Sequence, residues 1–586
     1  MVKNSNFLNF SVWAMAFGVI PMLYDPINLP RLILLLGMSV FVLIQLLNSR
    51  QKFILHTRSV TFIFLIPMSM LISGIATDGS MFYDITGYYQ RSTGILAYLS
   101  LSLMVLFVSF SNSASVISVS KNLSFVIYFF GFYLLLQLAA LDPFKWVTPY
   151  NKLIGTFGNP NFSAAFIGIL IPAVLYAFLT KKNQWKYLDL IFLAGLIYLS
   201  LRTESIQGPL IIVFSSICFA GILFYNKRKK IIPTISALVL FGFLVTLLSV
   251  LKIFAISPLN NFLLVQGSGA QRLDFWRAGI QMFTDHPIFG LGPDGYARYF
   301  QFYRTTEQVV RDGALNRADQ AHSVPIQMFA NGGLILGISY FVFVGFITWT
   351  LFKLIRQNTN IQLTALFGSI WLSYLFQSLI SIDTLALTFF GYFAGGIILA
   401  LSYLNKTEKD SVGQKNNFAQ KMLLVLGAVG LGIGSLSLLI SDVRFNSLMK
   451  SPQIDSSEAI KFSNTWPSAR ISFLLTNVVQ ANGDFKSAEV IARNAAKYDP
   501  LLPEAWYLIG VSRSEQSDSS QALEFVNKSL ELDKFNTFFM LKKSYIQMDL
   551  KDFPSALQTI NEIKNLNPNQ GGLPELVADY EKRSQL

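Results

Sequence analysis

Long apolar runs return along most of this chain and constrain its fold more than any other feature. A helix needs about 20 apolar residues to cross the hydrocarbon core of a bilayer, where its backbone must be satisfied internally. Runs of this kind predict about thirteen membrane-spanning helices. They lie near 8–24, 30–47, 59–76, 92–111, 122–141, 162–180, 187–201, 207–225, 231–255, 326–352, 362–381, 384–404 and 420–441. The sequence therefore predicts an all-α, polytopic membrane protein.

Composition supports lipid as the main solvent. Hydrophobic residues make up 52% of the 586 residues and charged residues 13%, whereas a soluble globular domain carries roughly 25% charged residues. The net charge of +13 would suggest a nucleic-acid partner in a soluble protein. Here the basic residues lie in short runs between apolar segments, such as Lys227 to Lys230, which is typical of membrane loops. Cys218 is the only cysteine, which excludes an internal disulfide and a cysteine-based metal site.

The distribution of lysine and arginine among the loops predicts the orientation. Alternate loops, counted from the N-terminus, hold Lys3, Arg50, Lys52, Arg58, Lys121, Lys181, Lys182, Lys186, Lys227 to Lys230, Lys353, Arg356, Lys406, Lys409, Lys415 and Lys421. The other set holds scattered arginines together with Asp25, Asp78, Asp84, Asp142, Glu204 and Asp383. Basic loops favour the cytoplasmic side. We therefore expect a cytoplasmic N-terminus and an extracytoplasmic 256–325 loop and tail. No small-residue cleavage site follows the first apolar run, so we expect that run to be retained as the first span.

The tail after about residue 452 is polar and periodic. Ala488, Ala522 and Ala556 are each 34 residues apart, and Asp499-Pro500 closes one period as Asn567-Pro568 closes another. A helix–turn–helix period of 34 residues resembles tetratricopeptide repeats, over roughly 469–568. The aromatic residue and glycine of a first helix are present only in the second repeat, and a plain helical bundle is the alternative.

This change of composition predicts two domains: a polytopic membrane domain over 1–445 and an extracytoplasmic α-solenoid over 452–586. Helical repeats stack into a concave surface that binds peptides or proteins. The tail also contains no histidine. We therefore expect it to recruit a protein partner and to take no part in chemistry, the alternative being a domain that only stabilises or dimerises the protein.

Polar clusters at the ends of apolar runs are the candidate functional residues, because an unpaired charge in lipid is costly. The richest cluster is the 256–325 loop, and Asn159-Pro160-Asn161 opens the sixth predicted span on the same side. The loop carries in order Gly269, Arg272, Trp276, Arg277, Asp285-His286-Pro287, Gly290, Gly292, Pro293 and His322, followed by Gly332-Gly333 in the next span.

These motifs, in this order and on one side of the membrane, resemble the O-antigen ligase and polymerase family, which includes bacterial O-linked oligosaccharyltransferases. The resemblance covers roughly residues 80–400. It implies a GT-C-like helical fold in the bacterial cytoplasmic (inner) membrane. It also implies transfer of a glycan from a polyprenyl-pyrophosphate carrier to an acceptor on the outer face, without cofactor or metal. The acceptor is a lipid, a glycan or a protein.

The chemistry of such a transfer assigns roles to the two catalytic candidates. His322 takes the place of the family's catalytic histidine and suits a general base near neutral pH, whereas capping the next helix or bonding Asp319 is the alternative. Arg272 takes the place of the family's arginine ahead of the tryptophan. Its planar fork matches phosphate oxygens.

Six further residues are predicted to bind substrate: Arg91, Arg202, Arg277, Asn161, Gln207 and Arg31. The alternative for each arginine is an anchor in the lipid headgroups. Asn161, like Asn159, could instead cap a helix. Gln207 stands where many relatives have an arginine, so it would keep a hydrogen bond without the charge.

Three other interpretations remain at this point. A polymerase that joins lipid-linked repeat units shares these motifs with a ligase. A transporter or receptor is the candidate from another class, although transporters place ionisable groups near the bilayer midplane, a pattern that this sequence does not show. Gly290, Gly292 and Gly295 mimic dinucleotide-binding spacing, but no strand precedes them, so we interpret them as turn residues, and His286 likewise.

The orientation gives a first testable prediction. An alkaline phosphatase reporter fused after Leu586 should be active, because that enzyme folds only outside the cytoplasm, whereas a green fluorescent reporter at the same position should stay dark. The same pair of reporters placed in the predicted cytoplasmic loop at Lys227 should give the opposite result. A fluorescent C-terminal fusion would contradict the predicted topology.

Overall fold

A computed structural model describes residues 5–48, 57–77, 79–146, 153–225, 268–404, 418–451 and 453–585. Every regular element in these ranges is a helix. The all-α, polytopic class predicted from the apolar runs is therefore confirmed.

The described residues up to Tyr225 form nine α-helices and one 3₁₀ turn at Gly155–Phe157. The helices are α1 (Ser5–Phe17), α2 (Asn28–Asn48), α3 (Thr57–Ala76), α4 (Met81–Thr86), α5 (Ile95–Ser109), α6 (Ser113–Leu138), α7 (Pro160–Thr180), α8 (Lys186–Arg202) and α9 (Gln207–Phe224).

The long loop and the helices after it continue the order. The loop folds into α10 (Ser268–Asp285), α11 (Gly295–Tyr299), a 3₁₀ turn (Phe300–Tyr303) and α12 (Thr306–Asp312). Four long helices follow, namely α13 (Val324–Gln357), α14 (Ile361–Ile380), α15 (Leu385–Tyr403) and α16 (Phe418–Lys450).

Within the described ranges, nine helices are long and apolar enough to cross a membrane: α2, α3, α6, α7, α9, α13, α14, α15 and α16. The shorter helices α1, α5 and α8 coincide with three more predicted spans. The span predicted over 231–255 lies outside the described residues.

Several predicted spans have different bounds in the structure, and the one predicted over 122–141 begins nine residues earlier, as α6 at Ser113. The first, predicted over 8–24, ends at Phe17, because the chain turns there and the carboxylate of Asp25 accepts hydrogen bonds from the first N–H groups of α2. The last, predicted to end at residue 441, continues as α16 to Lys450. Its final turns pack Phe445 and Leu448 against the C-terminal helices, which keeps them helical beyond the apolar run.

Helix α15 lies at the centre of the membrane part and is buried over nearly its whole length. Its Tyr392 packs against Phe343 of α13 and Tyr374 of α14. A β-carbon at Gly391 would come within 2.2 Å of the Tyr374 ring, so the small residue lets α14 and α15 approach closely.

The glycines that follow the Asp-His-Pro motif and those at the start of α13 allow close backbone packing. Helix α13 is broken at Gly333, where φ is +58°, and the N–H of Leu334 donates to the carbonyl of Pro287 at 2.7 Å. A β-carbon at Gly290 would lie 2.5 Å from the backbone of Asn331. The motif and the Gly-Gly pair therefore pack backbone to backbone, which fixes the loop onto the start of α13. His286 is exposed in this turn, as the turn interpretation predicts.

The tail folds into eight helices, most of which pack against the next helix in the chain. They are α17 (Ser456–Thr465), α18 (Ala469–Ala481), α19 (Phe485–Tyr498), α20 (Pro503–Glu515), α21 (Ser519–Leu532), α22 (Thr537–Asp549), α23 (Phe553–Leu566) and α24 (Leu573–Ser584). Corresponding helices begin 34 residues apart, and the three register-matched alanines are fully buried. The period is therefore visible in the helices, while the tetratricopeptide assignment and the domain boundaries stay predictions.

Two buried ion pairs join the long loop to this array. Arg298 of α11 donates to Asp499 at 2.8 and 3.1 Å, and Arg304, just after the 3₁₀ turn, pairs with Asp533. The two aspartates end α19 and α21, so they occupy the same position in successive repeats. The loop thus binds equivalent positions of two successive repeats. Arg317 adds a third pair, to Glu504 at the start of α20.

Breaking one of these pairs should loosen the tail. Arg304→Ala leaves the fully buried carboxylate of Asp533 without its main partner, and removal of one partner of a buried pair costs about 3–5 kcal/mol. Urea unfolding of the purified protein, followed by proteolysis of the C-terminal helices, measures the loss.

Arg583→Ala is the matched control, because its pair with Asp549 is exposed and such a pair contributes roughly 0–1 kcal/mol. Equal, small losses in both variants would show that the ion pairs do not hold the tail in place.

Candidate active site

A cavity of about 780 Å³ lies where several membrane helices, the long loop and the C-terminal helices meet. Helices α2, α7, α9 and α15 begin at this cavity, so the partial positive charges of their N-termini gather around it. Its polar lining includes Asn28, Arg31, Tyr83, Tyr88, Gln90, Arg91, Asn159, Asn161, Gln207, Arg272, Arg298, Gln301, Arg317, Asp319, His322, Asp383, Thr384, Arg470, Asp499 and Glu504. The arrangement favours an anionic, polar ligand.

His322 lies at the end of the long loop, two residues before α13 begins. Its backbone has φ of +54°, its carbonyl accepts a hydrogen bond from the indole N–H of Trp276 at 3.3 Å, and its ring packs beside Phe275. These contacts hold the imidazole at the cavity wall. Among the described residues, its buried Nδ1 has no hydrogen-bond partner.

The surroundings of His322 keep its ring neutral. Burial and the guanidinium of Arg272 lower the pKa of His322 to about 4, against the opposing carboxylate of Asp319. A neutral imidazole keeps a nitrogen lone pair with which it can accept the proton of a reacting hydroxyl. The carboxylate of Asp319 is paired with Arg91 at 2.6 Å, and the N-cap residue of α13 is Ser323. The two alternative roles predicted for His322, bonding Asp319 and capping α13, therefore do not fit these contacts.

Arg272 lies in the second turn of α10 and lines the cavity near His322. Burial lowers the pKa of Arg272, yet an arginine remains charged at physiological pH. In the described part of the chain, no carboxylate lies within 4.0 Å of its guanidinium. Arg272 is thus a charged donor that the protein itself does not neutralise.

Gln207 and the asparagines face the cavity from two helix starts. The side chain of Asn159 caps α7 by accepting from the N–H of Asn161, so the predicted alternative of capping holds for Asn159, although both asparagines line the cavity. Both amide atoms of Gln207 are buried without a partner among the described residues. A buried amide left unpaired costs roughly 1–3 kcal/mol, so a ligand at this place would satisfy it.

Arg31 lines the cavity but is engaged by backbone. Its guanidinium donates to the carbonyls of Met15, Ala16 and Thr156 at 3.0 to 3.2 Å and stacks over the ring of Phe157. These bonds tie the end of α1 to the start of α2 and favour a structural role for Arg31 over substrate binding.

The comparison with protein families bears on these residues. Residues 205–341 match the family model described as O-antigen ligase.

Over these residues the chain is similar to the O-antigen ligase family.

The match takes in Gln207, Arg272 and His322, and it confirms the family resemblance inferred from the motifs. The family supports glycosyl transfer in the assembly of cell-envelope polysaccharide. Comparison with curated proteins gave no match.

Two predicted site residues, Arg202 and Arg277, lie away from the cavity. Arg202 ends α8 with its side chain exposed. Arg277 shares α10 with Arg272, but five residues rotate a helix by about 140°, and its guanidinium lies 3.5 Å from Asp274 instead. The structure therefore does not bring Arg202 or Arg277 to the predicted substrate site.

The sequence analysis missed lining residues outside the ligase motifs. Asp383, between α14 and α15, lines the cavity and accepts hydrogen bonds from the hydroxyls of Tyr98 and Thr388. Its position among the carboxylates of the predicted extracytoplasmic loops could have identified Asp383 as a candidate site residue. Arg470 and Phe473 of the tail gave no such signal, because their approach depends on how distant segments dock. Within the described ranges, no group of three or more histidine, cysteine, aspartate or glutamate side chains could hold a metal ion.

The electrostatic coupling of Arg272 to His322 can be measured. Arg272→Gln removes a positive charge that disfavours protonation of the imidazole, so the pKa of His322 should rise above its value of about 4. The chain has only three histidines, so NMR of labelled imidazoles in the purified protein can follow this titration.

Arg277→Gln provides the control, since it removes an arginine from the same helix but away from the cavity. If both variants titrate like the unchanged protein, Arg272 does not act on His322.

Proposed function

We propose that this protein transfers a glycan from a polyprenyl-pyrophosphate carrier to an acceptor hydroxyl at the extracytoplasmic face of the bacterial cytoplasmic membrane. One observation carries the proposal: a neutral, buried histidine and an arginine without a carboxylate partner share one cavity at the ends of the membrane helices. A base and a cation in one place are what a hydroxyl nucleophile and a pyrophosphate leaving group require.

The position of the cavity suits a lipid-linked donor. The carrier's hydrocarbon chain belongs in the bilayer, while its pyrophosphate must reach a polar site at the end of the spans. The helix starts of α7 and α9 bring Asn161 and Gln207 to that level, and Arg272 faces them from the long loop. Helix N-termini and an arginine fork both stabilise phosphate oxygens. We therefore assign Arg272, Asn161 and Gln207 to the pyrophosphate.

The proposed reaction is a single displacement at the anomeric carbon. The acceptor oxygen forms a bond to that carbon while His322 takes the hydroxyl proton. The bond from the carbon to the pyrophosphate oxygen breaks, and its electron pair leaves with the polyprenyl pyrophosphate. Arg272 stabilises the charge that develops on that oxygen, and a displacement of this kind inverts the anomeric configuration.

Arg91 holds the loop that carries the base. Its guanidinium pairs with Asp319 at 2.6 Å, three residues before His322, and both side chains are only partly exposed. The pair joins the segment ahead of α5 to the end of the long loop. Arg91 therefore supports the position of His322 in this scheme.

A transfer assay tests the proposal. Purified protein in lipid, given a labelled polyprenyl-pyrophosphate glycan and an acceptor, should release the carrier and extend the acceptor. His322→Ala should lower the rate by about 10²–10⁴, the usual contribution of a general base, while insertion and donor binding persist. A ladder of growing chains would identify the polymerase form of the reaction, and a single addition the ligase form.

His286→Ala is the matched control, because His286 is exposed in a turn of the same loop. It should keep most of the activity. Near-normal transfer by a stably inserted His322→Ala protein would remove the proposed base.

A further inference from the structure

The C-terminal helices form part of the cavity wall. Arg470 and Phe473 of α18, and Asp499 with Leu501 to Glu504 around the turn into α20, line the same space as His322 and Arg272. The tail is held there by the ion pairs of Arg298 and Arg317. The cavity is therefore incomplete without the tail, although the sequence predicted for it a role in recruitment alone.

Arg470 is held in a defined orientation at this wall. Its backbone N–H donates to the hydroxyl of Tyr83 at 2.9 Å, which anchors the first turn of α18 to α4. Its guanidinium carbon lies 4.8 Å from the centre of the Phe473 ring, one helical turn later. Stacking on a ring face leaves the N–H groups at the guanidinium edge available.

The other arginines of the cavity already have partners. Arg31 is bonded to backbone carbonyls, and Arg91, Arg298 and Arg317 are paired with Asp319, Asp499 and Glu504. For Arg272 and Arg470, no carboxylate lies within 4.0 Å in the part of the chain that the structure describes. The cavity thus retains two arginines that the protein does not neutralise, one from the long loop and one from the tail.

We infer that Arg470 is a second ligand for the pyrophosphate of the donor, supplied by the C-terminal helices across the cavity from the membrane part. The inference rests on the proposed function for the identity of the anion. A pyrophosphate presents several charged oxygens on two phosphorus atoms, so an arginine fork from the long loop and one from the tail can bind it together. Stacking on Phe473 restricts the Arg470 side chain at the cavity wall, so less side-chain freedom is lost when the anion binds.

The test uses the full chain in lipid nanodiscs and inorganic pyrophosphate as the probe. Binding is measured by calorimetry, and the KM for donor and for acceptor are measured in the transfer assay. Arg470→Ala should weaken pyrophosphate binding by about tenfold or more and raise the KM for the donor, since a hydrogen bond to a charged group is lost. Arg470→Lys should recover part of the loss, because the charge remains without the fork.

Arg493→Ala is the matched control. Arg493 also stacks on a phenylalanine, Phe525, and lies in the same helical array, but it pairs with Glu489 and does not line the cavity. Its removal should leave pyrophosphate binding unchanged, which separates a contact in the cavity from a general loosening of the tail.

Three outcomes would overturn the inference: unchanged pyrophosphate binding in Arg470→Ala, an equal loss in Arg493→Ala, or a rise in the KM for the acceptor alone, which would place the anion on the acceptor. The proposed function fails separately. If no carrier-linked glycan is transferred but pyrophosphate binding still depends on Arg470, the result supports the anion-binding site and contradicts the proposed glycosyl transfer.

Discussion

The arrangement of the candidate site depends on arginines of the long loop that are buried against carboxylates of the tail. Arg298 and Arg304 are six residues apart, and their partners Asp499 and Asp533 end successive repeats 34 residues apart. Burying charged groups is expensive, so such pairs add less to stability than to the choice of one arrangement over others. Here the arrangement fixes where α18 stands relative to α10, and hence the distance across the cavity.

The fold was largely predictable from the sequence because lipid imposes a simple rule. Apolar runs must be helical, so twelve of the thirteen predicted spans have a helix in the described ranges, and the thirteenth lies outside them. The bounds were less predictable. Helix α1 ends early and α16 runs late because turn geometry and packing, rather than hydropathy, set their ends.

The candidate site was predictable only where a motif carried it. His322 and Arg272 stand in motifs with a known order, and both line the cavity. Arg202 was chosen because it ends a helix on the correct side, but a position at a helix end does not say which face of the helix the side chain occupies. For Arg470, the helix could be predicted from the sequence, but its position in the site could not. The 34-residue period predicts its helix, yet the contact of that helix with Tyr83 joins segments 387 residues apart and depends on tertiary docking.

The contribution of the tail to the cavity also links assembly to the order of synthesis. Arg470 and Asp499 follow α16 in the chain, so a ribosome produces them after all the membrane helices that the structure describes. A nascent chain that has inserted those helices holds His322 and Arg272 but has an open side where α18 will later dock. The wall closes when Asp499 and Asp533 reach their arginines, so a segment made after those membrane helices completes the enclosure.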